Sequence, residues 1–244
     1  MTGAIIQARM NSNRLPGKVL MEAAGRPMLA HLLDRLERCE TLETIVVATS
    51  TNDLDDSICE FGRSRGIKVF RGSETDVLDR YYQAARHAGL DVIVRITADC
   101  PLIDPFLVDQ MVSWFLANHR HWDLVTNRHP LTFPDGLDLD VMSMEALDHV
   151  WRNASEPHQR EHTIPFFWES GMRVYNWEDP RLLFWSQRWT LDYPEDYEVI
   201  RGIIEGLDRP GEPFTTEQIL AFVAAHPEVS ALNAKYIPIR NNAN

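Results

Sequence analysis

The chain has 244 residues, with 24 Lys and Arg against 36 Asp and Glu, a formal net charge of −12. At 44% hydrophobic and 25% charged residues it has the balance of a folded globular protein, which excludes disordered and fibrous classes, and its length fits one large domain with a sizeable core. The acidic excess argues against non-specific nucleic-acid binding, no apolar run approaches the roughly 20 residues of a membrane span, and the opening stretch Met1–Arg9 lacks the basic-then-apolar pattern of a secretory signal.

The first half alternates strand and helix signals. Ala4–Gln7 reads as a buried strand, followed by a polar loop, Arg9–Lys18, that contains Asn11, Ser12, Asn13, Pro16 and Gly17. Pro27–Glu37 has apolar residues at helical spacing (Met28, Leu29, Leu32, Leu33, Leu36), and Thr44–Ala48 reads as a second buried strand. Asp53 is placed to cap a helix with Ile58 and Phe61 inward, closed by Gly66. Ile67–Phe70 is a third strand, Asp76–His87 a helix ended by Gly89, and Asp91–Ile96 a fourth strand. Asp104 begins a helix with Phe106, Leu107, Met111 and Phe115 inward. Beyond about residue 123 the pattern changes. Asp123–Thr126, Leu137–Met142, Arg173–Trp177 and Trp185–Leu191 are strand candidates, the second with one polar face. Met144–Asn153, Glu195–Leu207 and Thr216–Ala225 read as helices, and Asn241–Asn244 as a frayed tail. Residues of about 125–180 are expected to be an insertion that completes a substrate pocket.

Successive β–α units imply a parallel sheet covered on both faces, with ligands beyond the carboxyl ends of the strands. That rule selects the loops Ala8–Lys18, Thr49–Asn52, Arg71–Thr75 and Thr97–Asp104. The first contains the cations Arg9, Arg14 and Lys18, beside Ser12, in a segment whose backbone amides can cradle phosphates. It is neither a P-loop nor a dinucleotide fingerprint. Ala8, Thr49, Arg71, Arg80 and Thr97 lie near the sheet's upper edge and are candidates for recognising a base; Arg80 could equally be a surface helix residue paired with Asp76 one turn away. Cys39, Cys59 and Cys100 form no C-x-x-C pair and read as thiols of a reducing cytoplasm. Most of the tryptophans of the second half (Trp151, Trp168, Trp177, Trp185, Trp189) read as packing.

Six blocks in order, Gln7–Lys18, Val69–Tyr82, Arg95–Asp104, Phe133–Asp138, Arg160–Pro165 and Leu191–Tyr197, resemble the cytidylyltransferase superfamily. That superfamily includes the 3-deoxy-manno-octulosonate and acylneuraminate cytidylyltransferases, and the chain is most similar to the spore-coat polysaccharide branch. Ala98 departs from the glycine expected in that branch. The resemblance implies a single α/β nucleotidyltransferase domain, a Rossmann-like three-layer fold whose mostly parallel sheet has an antiparallel insertion. It also implies transfer of a cytidylyl group from CTP to an acidic sugar or phosphorylated small molecule, with release of pyrophosphate. Arg9, Arg14 and Lys18 would bind the triphosphate, with Arg9 and Lys18 stabilising charge on the α-phosphate. Asp99 and Asp192 would hold Mg²⁺, which favours one or two carboxylates plus phosphate oxygens. Arg160, Glu161 and His162 resemble the block that meets the acceptor, and Arg128, Asp135 and Asp138 lie in the other matching insert loop. Asp138 and His162 are both candidates for the group that deprotonates the acceptor. A cytoplasmic homodimer acting in surface polysaccharide synthesis, with the insertion of about 125–180 as its contact, is implied in the same way.

Two motifs point elsewhere. Asp138-Leu-Asp140 is a D-x-D that could hold the metal of a nucleotide-sugar glycosyltransferase if both aspartates shared a strand face. His158-Gln-Arg-Glu-His162 has the spacing of an inverted zinc-protease motif, but Pro157 and Pro165 leave it barely two turns.

Overall fold

A computed structural model describes residues 1–179, 186–209 and 214–237. The chain begins β1 (Thr2–Gln7), β2 (Glu22–Ala23), β3 (Arg26–Pro27), α1 (Met28–Leu36), β4 (Thr44–Ser50), α2 (Asp56–Ser64), β5 (Lys68–Gly72), α3 (Val77–Ala88), β6 (Val92–Thr97) and α4 (Pro105–Asn118). It continues β7 (Leu124–Thr126), β8 (Asp140–Ser143), α5 (Met144–Asn153), α6 (Pro157–His162), α7 (Pro165–Glu169), β9 (Val174–Asn176), α8 (Pro194–Leu207), α9 (Thr216–Ala225) and α10 (Pro227–Ala231).

Among the described residues seven strands form one sheet in the order β5-β4-β1-β6-β8-β7-β9, and β2-β3 is a separate short hairpin. The four strands from β5 to β6 are parallel, β8 is antiparallel to both its neighbours, and β9 is parallel to β7. The antiparallel strand therefore lies inside the sheet, and the segment expected as an insertion supplies three of its strands. Alternation along the strands makes two cores. Ala4, Ile6, Val47, Val94, Val125 and Val141 meet α1, α4, α8 and α9 on one face. Ile5, Val46, Ile93, Leu124 and Met142 meet α3, α5 and α7 on the other. Each fully buried aliphatic side chain in these layers contributes about 1.5–3 kcal/mol. Among the described residues no helix is long and apolar enough to cross a membrane.

The elements of the first half lie where the periodicity predicts, with two corrections. The second helix starts after a 3₁₀ turn at Asp53–Asp55 whose cap is Asn52, which accepts from the Leu54 amide at 3.0 Å. Phe106 is 69% exposed, because it falls one position off the buried stripe Leu107, Val108, Met111, Val112 and Phe115. Asp104 does cap α4, accepting from the Phe106 amide at 2.9 Å. The second half departs further. The strand expected at Leu137–Met142 is β8 alone, and it is buried on both faces apart from Ser143. Its expected first half is held by a side chain instead: Asn127 donates to the Leu137 carbonyl at 2.8 Å and accepts from the Leu139 amide at 3.0 Å. The strand expected at Trp185–Leu191 is reduced to one bridge between Arg188 and Asp135. Trp185 and the tail Asn241–Asn244 lie outside the described residues. Trp189 is fully buried, Trp151 stacks on Tyr82 and Trp168 on His129, so these indoles are packing. The three cysteines are free and buried.

Candidate active site

Gln7 is in register with Ala48 on one side and Thr97 on the other, so β1, β4 and β6 end level and their loops leave the sheet side by side. A cavity of about 420 Å³ opens at this edge. Its walls are Arg9, Ser12, Arg14 and Lys18 of the first loop, Thr97 at the end of β6 with Ala98 and Asp99 after it, Asp192 before α8, and Glu161 and His162 from the end of α6.

Lys18 is the centre of the cavity wall. Gly17 takes a φ of +72°, and this left-handed residue turns the loop into a short 3₁₀ helix, Lys18–Leu20, that points the lysine inward. Its ammonium donates to Asp99 Oδ2 at 2.9 Å and to Asp192 Oδ1 at 2.8 Å. Burial works against the charge, but the two carboxylates outweigh it and hold the Lys18 pKa above its ordinary value. Burial likewise opposes ionisation of Asp192, and Lys18 and Arg14 reverse it, so that its pKa is lowered. Arg14 reaches Asp192 Oδ2 at 2.8 Å. Arg9 lines the cavity as an exposed side chain with no ion pair among the described residues.

Asp192 is free to face the cavity because another residue serves the helix it precedes. Asp196, fully buried, accepts from the Asp192 amide at 3.0 Å and the Tyr193 amide at 2.9 Å. It is held in turn by Arg188, whose Nε lies 3.0 Å from Asp196 Oδ1. Asp55 has the same function under the first loop: it accepts from the Met10 amide at 2.7 Å and from the amide and hydroxyl of Ser50. Sequence reasoning missed both carboxylates. Each lies next to a predicted helix start, where an aspartate reads as an ordinary cap.

The remaining candidates lie outside the cavity wall. Ala8 and Thr49 are buried in the sheet edge. Arg71 clasps the loop after β4, donating to the Ser50 carbonyl at 2.9 Å and the Asn52 carbonyl at 2.8 Å. Arg80 is fully buried and not a surface partner of Asp76; one nitrogen bonds the Ser73 carbonyl, while Nε and Nη2 have no partner among the described residues. Asp76 pairs instead with Arg160, at 2.6 Å, and Arg160 also donates to the Trp151 carbonyl at 2.8 Å, which fastens α6 to α3. Asp135 is paired with Arg188, and burial raises its pKa despite that partner. Burial pushes the Asp138 carboxyl up to about 7, against the pull of Arg128 beside it. Asp140 makes a buried ion pair with Arg95 at 2.9 Å across the β6–β8 ladder. Asp138 precedes the strand, so the two aspartates of the D-x-D share no strand face. His158 pairs with Glu169 at 2.9 Å, whereas His162 lines the cavity, so the two histidines do not converge.

Among the described residues no group of three or more His, Cys, Asp and Glu could hold a metal by itself. Asp99 and Asp192 nevertheless bring two hard oxygen donors to one point, where a single ammonium now touches both. That donor set suits Mg²⁺, which takes one or two carboxylates and completes its shell with phosphate oxygens and water.

Residues 3–203 match the cytidylyltransferase family. The chain belongs to that family. This cytidylyltransferase is 37% identical over 233 residues to an uncharacterized protein of Methanocaldococcus jannaschii, covering 94% of this chain and 93% of that one. It is 33% identical over 211 residues to the spore coat polysaccharide biosynthesis protein SpsF of Bacillus subtilis, covering 82% and 85%. The solved structure of a cytidylyltransferase from Leptospira borgpetersenii superposes with a TM-score of 0.89 at 32% identity, over 94% of this chain and 96% of that one. The α/β nucleotidyltransferase fold expected from the sequence is thus the fold of this cytidylyltransferase. The cavity residues Arg9 to Asp192 all fall within the segment matched to the family.

Proposed function

We propose that this enzyme transfers a cytidylyl group from CTP to an oxygen of an acidic sugar or a phosphorylated small molecule, releasing pyrophosphate. The observation that carries the reading is the Lys18 ammonium between Asp99 and Asp192 in the cavity wall, with Arg9 and Arg14 beside it. In the reaction the acceptor oxygen bonds the α-phosphorus, a hydroxyl acceptor passing its proton to His162 in the cavity wall, and the bond to the leaving pyrophosphate breaks. Negative charge grows on the α-phosphate, and prepositioned cations stabilise it at no cost of reorganisation. Lys18 and Arg9 serve the α-phosphate, and Arg14 and the Ser12 segment hold the rest of the triphosphate. Asp99 and Asp192 would hold Mg²⁺, which neutralises phosphate charge and aligns the leaving group. Thr97 is assigned to the base, with Ala8, Thr49, Arg71 and the buried Arg80 shaping the sheet edge beneath it. Glu161 and His162 meet the acceptor from the end of α6, supported by Arg160 and by the Arg128, Asp135 and Asp138 loop. The name of the Bacillus relative supports a place in surface polysaccharide synthesis, and a cytoplasmic homodimer completes the reading.

The test is pyrophosphate release with Mg²⁺ and each of CTP, UTP, ATP and GTP, against a panel of acidic sugars and small phosphates. CTP-dependent release that disappears in Asp99→Asn is the expected result. Binding of a nucleotide sugar in preference to CTP would overturn the reading.

A further inference from the structure

The family match ends at residue 203, yet the chain afterwards returns to the start of α8, next to Asp192 of the cavity wall. Asn233 is 1% exposed and donates to the Arg188 carbonyl at 2.9 Å and to Asp196 Oδ1 at 2.8 Å. These bonds fix the short turn Ala234–Tyr236 against the start of α8. From that turn the Tyr236 ring stacks on Tyr193, with centroids 3.9 Å apart and planes 4° from parallel. The Arg14 guanidinium lies 5.0 Å from the centroid of the same Tyr193 ring. Arg14 is 51% exposed on a loop, so its placement depends on that ring and on Asp192.

We propose that Tyr236 is a positioning residue of the nucleotide site, stacking on Tyr193 so that Arg14 is held at the cavity for the triphosphate. A tyrosine ring at a helix start has other staggered χ1 wells open to it. A second ring lying flat against it removes those alternatives and leaves one face for the cation. The Tyr236 hydroxyl is 3.3 Å from Glu195 and takes no part in the stack. The role depends on the ring, and it rests on reading the cavity as a CTP site.

Calorimetric titration of the full chain with CTP, in Mg²⁺ and without acceptor, measures binding with no turnover. Tyr236→Leu is expected to weaken binding about three- to fivefold, the range of one cation–π contact, while Tyr236→Phe binds like the wild type. Arg14→Ala combined with Tyr236→Leu binds no more weakly than Arg14→Ala alone. Asn233→Ala, which frees the turn but keeps the ring, gives the same loss and stands in should Tyr236→Leu fail to fold. Wild-type affinity in folded Tyr236→Leu or Asn233→Ala, or an additive loss in the double variant, would overturn the positioning role. A wild-type chain that binds no CTP would instead bring down the reading of the cavity, and this role with it.

Discussion

Lys18→Met removes the ammonium between Asp99 and Asp192 while keeping most of the side-chain volume. The lysine side chain is 10% exposed and its partners 24% and 20%. At 2.9 and 2.8 Å, each contact is worth about 5–6 kcal/mol before desolvation at an effective dielectric near 20. Desolvating the ammonium cancels most of this, and water still reaches both carboxylates. The substitution leaves those carboxylates turned toward one point without a shared cation, a net loss of about 2–3 kcal/mol, below the full cost of stranding a deeply buried charge. For a chain of this size that is a fall of about 4–12 °C in melting temperature. The assay is thermal melting of wild type and Lys18→Met with and without Mg²⁺. Mg²⁺ should restore much of the variant's stability, because a divalent cation can occupy the point the ammonium left. Cytidylyl transfer should stay about 10²–10³-fold down if Lys18 is the fixed cation proposed for the α-phosphate. An unchanged melting temperature that also ignores Mg²⁺ would refute the idea that the two carboxylates share a cation site. Full recovery of turnover in Mg²⁺ would refute the catalytic role of Lys18.

Asp55→Ala leaves the Met10 and Ser50 amides without their acceptor and should cost about 3 kcal/mol; urea denaturation reads the loss, and amide exchange at Met10 should accelerate while that of the sheet interior does not. Arg80→Met replaces a buried cation, two of whose nitrogens have no partner among the described residues, by an apolar chain, so stability in urea denaturation should hold or rise. A clear stability loss would instead show that its bond to the Ser73 carbonyl outweighs the cost of burying the guanidinium. Asp138 has a folded pKa of about 7, above its ordinary value, because burial favours the neutral acid. Its contribution to stability is therefore greatest at low pH, falls as the unfolded chain ionises first between about pH 4 and 7, and is flat above. Asp138→Asn should then gain on the wild type by up to about 4 kcal/mol more at pH 8 than at pH 4, as urea denaturation at the two pH values would show; an equal difference at both would contradict the buried, neutral acid.

The parts of the site carried by one loop are legible in the sequence. Arg9, Arg14 and Lys18 follow a buried strand within a dozen residues, and the rule that ligands bind at strand ends puts them where the cavity opens. Asp99 is readable for the same reason. Asp192 is harder, since an aspartate before a helix is usually a cap, and only the amide bonds made by Asp196 show that the cap is elsewhere. Arg160 is read toward the acceptor, but it is held by Asp76, a partner 84 residues away that no local pattern names. The strand at 137–142 is overread because apolar alternation cannot reveal that Asn127 takes over the backbone groups of Leu137 and Leu139.

By itself the sequence determined the order of β–α units, the loops at their carboxyl ends and the charge types in those loops. All of these follow from periodicity and turn chemistry acting over a few residues. Tertiary structure alone decided that Lys18 would meet Asp192, 174 residues away, that β8 would enter the sheet antiparallel between β6 and β7, and which of two nearby carboxylates would face the cavity and which would hold the backbone. Those outcomes depend on distances in space between segments far apart in the chain. A charge acquires its role from the partner that packing brings within about 3 Å, and that partner is absent from its own stretch of sequence.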